Sequence, residues 1–134
     1  MGTRRFRKGG RLMLTVNGYT ILLPRGDTGS FKGKIPAEYE GDLYEYTQDD
    51  RVVFTAKNGQ GVFKREVCEI EDGNLFTVNF THDDTKDVTP GACVWDIVVY
   101  IHPYYDSDGN IVNADDITTP IRTQTLEILP TARD

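Results

Sequence analysis

The sequence is poor in the side chains that carry out nucleophilic catalysis. Its 134 residues contain two cysteines, two histidines and two serines. These are Cys68, Cys93, His82, His102, Ser30 and Ser107. A Ser-His-Asp triad therefore has few candidate members, and both cysteines lie within strand-like patterns, where a reactive thiolate is disfavoured. The carboxylates are spread over turns, and no pair stands out as a glycosidase acid and base. We therefore expect a protein that is not an enzyme.

Long hydrophobic runs are also lacking. No apolar stretch approaches the roughly 20 residues of a membrane-spanning helix, and the charged first residues are not followed by the apolar stretch of a secretory signal. We therefore expect no membrane partner, and a product that stays at least at first in the cytoplasm. Two cysteines are too few for a disulfide scaffold and lack metal-binding spacing. We expect buried free thiols, with a bridge between two strands as the alternative.

One stretch imitates the start of a calcium-binding loop. The pattern Asp106-x-Asp108-x-Asn110 supplies the first ligands of such a loop. However, Ile111 stands where the loop needs glycine, and Ile117 stands where it needs a bidentate glutamate. The sequence therefore predicts a hairpin tip here and no metal site.

Two other short patterns have simpler explanations than ligand binding. Gly9-Gly10 precedes a predicted β-hairpin and lacks the helix that would receive a phosphate. Arg25-Gly26-Asp27 lies between two predicted strands, where glycine and aspartate serve a turn, and we favour this over an integrin-binding motif. The sequence thus predicts no cofactor and gives no support for a small-molecule ligand.

Charge is distributed unevenly along the chain. Residues 1–11 hold five basic side chains and no acid, whereas the other 123 residues hold ten basic and all 21 acidic side chains. We predict a basic flexible arm over residues 1–11, either frayed or lying on an acidic neighbour. Such an arm can touch nucleic-acid phosphates, but an acidic body repels them, so no nucleic-acid partner is expected.

The longest apolar stretch, residues 88–101, predicts the central strand of the fold. Alternate side chains point to opposite faces of a strand. One face would hold Cys93, Trp95, Ile97, Val99 and Ile101. We expect Trp95 in the core with Phe54, Phe76 and Phe80. The opposite face holds Val94, Asp96, Val98 and Tyr100. That face is too apolar for free solvent, so we predict that its two valines and Tyr100 are covered by another element or contact a partner.

About eight short strands and no long helical period predict one antiparallel β-sandwich over residues 12–134. The strands expected are 11–16, 19–23, 28–35, 51–57, 62–70, 75–80, 93–101 and 121–129. Asn17-Gly18 predicts the first hairpin turn, the glycines of 28–35 predict an edge strand, and Thr81 predicts the N-cap of one short helical turn.

Residues 36–50 predict a long acidic connection. They hold six acids and no base, interleaved with three tyrosines, Tyr39, Tyr44 and Tyr46. Two interpretations remain open. The segment is either a solvated loop whose tyrosines lie on the core, or a partner-binding loop, because tyrosine gives a large contact area at low entropic cost.

The order of several motifs resembles the immunoglobulin-like N-terminal domain of phage baseplate upper proteins. The motifs are Arg25-Gly26-Asp27-Thr28-x-x-Phe31, Asp50-Arg51-Val52-Val53-Phe54-Thr55-x-Lys57 and Asp84-Thr85-x-x-Val88-x-Pro90-Gly91-x-x-x-Trp95-Asp96-Ile97. The resemblance implies an immunoglobulin-like sandwich and a structural protein of a phage or prophage tail or baseplate. It also implies a virion component, assembled in the bacterial cytoplasm with other phage structural proteins. The family domain usually heads a longer chain and lacks the basic arm and first hairpin, which favours a free-standing particle protein here.

Two classes of function follow. The first is a non-enzymatic assembly protein that works as a homo-oligomer, a trimer by the resemblance or a dimer by symmetry alone. The second is a carbohydrate-binding or host-surface-binding module that uses the tyrosines of residues 36–50 and Tyr104-Tyr105 as stacking platforms.

Overall fold

The computed structural model describes residues 13–35, 38–39, 42–43 and 46–132, and for residues 38, 39, 42 and 43 it describes the backbone alone. The strands are β1 (Thr15–Asn17), β2 (Thr20–Pro24), β3 (Gly29–Lys34), β4 (Glu38–Tyr39), β5 (Asp42–Leu43), β6 (Arg51–Asn58), β7 (Gly61–Glu71), β8 (Leu75–Phe80), β9 (Gly91–Tyr105) and β10 (Ile111–Leu129). One short helix, α1 (His82–Thr85), follows β8. The predicted basic arm lies outside the described residues. Within them, no helix has the length and apolar character needed to cross a membrane.

The eight longer strands form one sheet in the order β1-β2-β10-β9-β6-β7-β8-β3, and β4 pairs with β5 alone. Neighbours in the large sheet pair antiparallel except β2 and β10, which run parallel with Leu126 opposite Ile21. The sheet curls into a nearly closed, barrel-like arrangement. The prediction of a mostly-β fold is confirmed. The finer prediction of an immunoglobulin-like sandwich is not confirmed, and the parallel pair departs from the antiparallel arrangement expected.

A long hairpin of β9 and β10 dominates the sheet. β9 has 15 residues and β10 has 19, so the predicted closing strand 121–129 is only the second half of β10. The pairing shifts register between Ile111 and Asn113, between Thr118 and Ile121, and between Ile121 and Gln124. Such irregularities increase the local twist of a strand pair and help a sheet to close on itself.

The predicted turns hold with one displacement. In the first hairpin Asn17 pairs with Thr20, so the loop is Gly18-Tyr19 rather than Asn17-Gly18, and Gly18 takes the positive φ of 64°. Tyr19 is therefore an exposed loop residue instead of the first residue of the second strand. The turns between β6 and β7 and between β7 and β8 are confirmed, as is β3 at a sheet edge.

The core lies on the concave face of the sheet and is centred on Trp95. This side chain is 2% exposed and stacks on Phe54 with 5.5 Å between ring centroids. Phe80 meets Phe54 edge to face, and Phe31 connects Trp95 with Phe76. The predicted aromatic cluster is confirmed. The other core-facing members of β9 are also buried, namely Cys93, Ile97, Val99 and Ile101.

Candidate interaction surface

The convex face of the sheet carries side chains in rows that cross three adjacent strands. Register places Val53 of β6 between Val98 of β9 and Val67 of β7, which makes a continuous apolar row. Directly opposite residues have Cβ atoms about 4.5–5.5 Å apart, so such a row acts as one surface. One step along the strands, Thr55 lies between Asp96 and Arg65 in the same way. The outer face is therefore an apolar stripe beside a charged one.

These rows form the floor of an open cleft of about 730 Å³. Val67 is 56% exposed there, and Val62 at the end of the neighbouring row is half exposed. In contrast, Val53 is buried although it faces outward, because the rows on either side cover it. We call this surface the outer cleft. Its floor is formed by Val53, Thr55, Lys57, Val62, Arg65, Val67, Val94, Asp96 and Val98.

The end of the long hairpin forms one wall of the outer cleft. Tyr100, Tyr105 and the hairpin tip at Gly109 and Asn110 line this side. The Arg51 guanidinium lies over the Tyr105 ring, 5.7 Å from its centroid. This cation–π contact holds the arginine at the cleft edge, together with hydrogen bonds that its Nη1 donates to the Gln48 and Asp50 carbonyls. The wall thus combines aromatic area with a positive charge.

Charge in the outer cleft is opposite to that of the whole chain. Arg51, Lys57 and Arg65 face a single acid, Asp96, whereas the chain carries a net charge of −6. Burial raises the pKa of Asp96, and the positive charges of Lys57 and Arg65 only partly oppose this. The cleft is therefore a basic, partly apolar surface on an acidic protein. It is suited to an acidic partner.

The structure brings half of the predicted contact residues together. Val94, Val98 and Tyr100 all line the outer cleft and are half-buried. Tyr46 is 5% exposed and belongs to the core cluster, so it matches the interpretation of tyrosines lying on the core. Tyr39 lies on β4, but its side chain is not described, and Tyr44 lies outside the described residues.

A polar cluster braces the base of the long hairpin. His102, in the left-handed backbone region with a φ of 51°, directs Nδ1 at the Asp115 carboxylate 3.0 Å away. The Tyr104 hydroxyl donates to the same carboxylate, and these two hydrogen bonds, that from Tyr104 first, lower the pKa of Asp115. The backbone N–H of His102 donates to buried Asp50 at 3.1 Å. These contacts join His102 and Tyr104 of β9 to Asp115 of β10 and to Asp50 beside β6, and so fix the base of the hairpin.

The Arg25-Gly26-Asp27 stretch is a turn that docks on the short helix. Gly26 has a φ of 78°, and its N–H donates to the Thr85 hydroxyl at 2.8 Å. The His82 ring lies against the Gly26 carbonyl at 2.8 Å. Because Gly26 is buried by these contacts, the central residue of the tripeptide is committed to the fold. The predicted turn is confirmed.

A buried lysine ties the helix to the sheet. Lys64 Nζ lies 2.9 Å from Asp84 and 3.1 Å from Glu66, over the face of Phe80. Asp84 also accepts the Thr81 backbone N–H at 2.8 Å, as in a capping box. Burial raises the pKa of Asp84, but the hydrogen bonds from Thr81 and Lys64 outweigh it and hold that pKa below its usual range. The predicted N-cap at Thr81 is confirmed.

The cysteines and the calcium-like stretch both have contacts within the fold. Both cysteines are buried and unbridged, and burial raises the pKa of Cys68 to about 12 and also raises the pKa of Cys93. The thiolate form is therefore disfavoured. Asp106 accepts the backbone N–H groups of Asp108 and Asn110, each at 2.9 Å, and so closes the predicted hairpin tip. Among the described residues, no group of three metal-binding side chains converges.

Sequence reasoning identified the contribution of β9 to the outer cleft but missed that of β6 and β7. The missed residues are Arg51, Val53, Thr55, Lys57, Arg65 and Val67. A signal was present in β6, where these outward positions alternate with the buried Val52, Phe54 and Ala56. No protein-family model, no curated protein and no solved structure matches the chain. The function is therefore argued from the cleft itself.

Proposed function

We propose that this protein is a non-enzymatic assembly module that acts through protein–protein contacts made by the outer cleft, and that it works as a homo-oligomer. The observation that carries this proposal is the valine row Val98-Val53-Val67 on the floor of the outer cleft, which runs from half-buried Val98 across buried Val53 to Val67, a side chain that is 56% exposed. Apolar side chains in a continuous row gain about 25 cal/mol for each Å² removed from water. In a monomer the exposed part of this row stays in contact with water, and the free energy is gained only when a partner covers it.

The phage or prophage tail or baseplate is the setting that we propose for this assembly. Support for the setting, and for an immunoglobulin-like classification of the fold, comes from the ordered sequence motifs that end at Trp95-Asp96-Ile97. The second half of the third motif lies on β9, the strand that contributes Val94, Val98 and Tyr100 to the outer cleft. The same segment therefore carries the resemblance and the proposed contact.

Sugar binding is the alternative function, and the geometry gives it less support. Tyr104 and Tyr105 are both exposed, but they are consecutive residues of β9. Consecutive strand residues point to opposite faces, so the two rings do not form one stacking platform. The Tyr104 hydroxyl is engaged by Asp115, and one face of the Tyr105 ring is covered by Arg51.

The experiment is sedimentation of wild type, Val67→Glu and Val112→Glu over a range of protein concentrations. Val67 lies in the outer cleft, whereas Val112 is 63% exposed on β10 and does not line it. Both changes are at exposed positions, where stability is usually altered by less than about 0.5 kcal/mol. We expect wild type and Val112→Glu to associate equally, and Val67→Glu to associate at least about tenfold more weakly, because it places a charge on an apolar contact.

Two results would overturn the proposal. One is a wild-type mass of 15.1 kDa, that of a monomer, at every concentration. The other is equal association of the two glutamate variants, which would place the contact elsewhere on the molecule. If wild type binds to a glycan array, and this binding is lost in Tyr104→Ala but retained in Val67→Glu, the sugar-binding alternative is supported instead.

A further inference from the structure

We infer that the occupant of the outer cleft is the acidic segment of a second copy of this chain, in a reciprocal dimer where each segment enters the cleft of the other copy. The acidic segment is defined as residues 38–45. This inference rests on the proposed function, because it names the partner of the same surface.

Charge complementarity selects this segment. The outer cleft presents Arg51, Lys57 and Arg65 against one acid, Asp96. The acidic segment holds four carboxylates and no base. They are Glu38, Glu40, Asp42 and Glu45. Arginine binds carboxylates through two parallel hydrogen bonds, so the charged row of the cleft has direct partners in the segment. The basic arm of residues 1–11 is repelled from the cleft by like charge.

The apolar part of the cleft also has a counterpart in the segment. Tyr39, Leu43 and Tyr44 are interspersed among the acids of the segment. Tyrosine is enriched at protein interfaces because it covers a large area and loses little side-chain entropy. A chain that mixes tyrosine with carboxylates matches a floor in which the Val98-Val53-Val67 row lies beside the Asp96-Thr55-Arg65 row.

The flanks of the segment lie close to the outer cleft. On the entering side, the Ile35 N–H donates to the Asn74 carbonyl at 3.0 Å, and on the returning side the Tyr46 N–H donates to the Gly73 carbonyl at 2.8 Å. Both flanks are thus held at one turn of the sheet. A neighbouring depression of about 520 Å³, lined in part by Tyr46 and Gly73, shares Arg51 and Val67 with the outer cleft.

A twofold axis beside Arg51 would therefore bring each acidic segment to the cleft of the other copy over a short distance. Such an interface is isologous, since the same two surfaces meet twice. The two contacts together have to bury about 800 Å² on each partner for a stable dimer. Because part of the attraction is between exposed charges, salt should weaken the dimer, while the valine contact should preserve some association.

The test is a charge-exchange experiment followed by native mass spectrometry. The cleft variant is Lys57→Glu with Arg65→Glu, and the segment variant is Glu38→Lys with Asp42→Lys. The control carries the same charge change as the cleft variant at exposed positions outside the cleft, Lys34→Glu with Arg122→Glu. Circular dichroism of each variant checks that the β fold is retained.

We expect the cleft variant and the segment variant each to dimerise at least about tenfold more weakly than wild type, because like charges then meet at both contacts. Mixed in equal amounts, the two variants should form a heterodimer, because each segment then meets a cleft of opposite charge. The control should dimerise as wild type does.

Three results would overturn the inference. A mixture that gives no heterodimer excludes the acidic segment as the occupant. If wild type and all variants are monomers, and changes in the acidic segment affect only the cleft of the same copy, the contact is intramolecular. If the mixture forms no heterodimer but Val67→Glu associates more weakly than wild type, the outer cleft is an interface with another occupant. The proposed function then stands without this inference.

Discussion

Replacement of Trp95 tests the packing on which the convex face depends. The indole is 2% exposed, stacks on Phe54 at 5.5 Å, and its Nε1–H lies 3.0 Å from the Tyr19 carbonyl and 3.2 Å from the Thr125 carbonyl. Trp95→Ala removes the ring and leaves a cavity, at a cost of about 3–5 kcal/mol. Trp95→Phe keeps a ring beside Phe54 but loses the donor, so its cost should be nearer about 1–2 kcal/mol.

The assay is urea unfolding followed by far-ultraviolet circular dichroism, because the substitutions remove the only tryptophan. A domain of this size is stable by about 5–15 kcal/mol, so the alanine variant should lose a large fraction of its free energy of unfolding. Wild-type fluorescence should show the short emission wavelength of a buried indole. Emission as in water, or a cost below about 1 kcal/mol for Trp95→Ala, would refute the packing described.

Three further predictions concern backbone packing and ionisation. Gly33→Ala should destabilise the protein by about 1–3 kcal/mol by urea unfolding, because a Cβ there would lie 2.4 Å from the Phe76 ring, whereas Gly59→Ala, with open space around it, should change stability little. Asp84→Asn should cost about 1 kcal/mol at pH 7. Because the folded pKa of Asp84 is lowered, this stability is present above the unfolded pKa of about 3.9 and is lost as the pH falls through the folded pKa. A cost that stays the same as the pH is lowered through the folded pKa would contradict the prediction. Asp96→Asn should tighten the self-association at pH 7 measured by sedimentation, because it removes the acid that lies among the basic side chains of the outer cleft. Burial raises the pKa of Asp96, so the gain should vanish as the pH falls below the folded pKa and wild type becomes neutral. Weaker association at pH 7 would argue against an acidic occupant.

Local patterns in the sequence predicted those parts of the fold that local chemistry determines. The alternation of apolar residues around Trp95 identified the core face of β9. The glycine-containing turn between β6 and β7 located their hairpin correctly. The first turn was displaced by one residue, because Gly18 provides a positive φ in either arrangement. These features depend on neighbours in sequence, which is why they were visible without a structure.

Long-range pairing could not be predicted in the same way. The parallel contact of β2 with β10 joins segments about a hundred residues apart, such as Ile21 and Leu126, and neither segment signals the direction of its partner. The outer cleft also depends on the pairing of strands that are distant in sequence. Val98, Val53 and Val67 become one row only because β9, β6 and β7 are neighbours in a particular register. The sequence showed one valine face on β9 but not the rows that extend it.

The most direct measurement of the central proposal is the thiol reactivity of Val67→Cys as a function of protein concentration. Both natural cysteines are buried, so the introduced thiol should react first. In the dilute protein it should react as fast as the thiol of Val112→Cys, since both positions are exposed. If the outer cleft is the interface, the Val67→Cys thiol should become at least about tenfold less reactive at concentrations where the protein associates, while the Val112→Cys thiol is unchanged. Equal reactivity of the two thiols at every concentration would contradict the proposal that this protein works through its outer cleft.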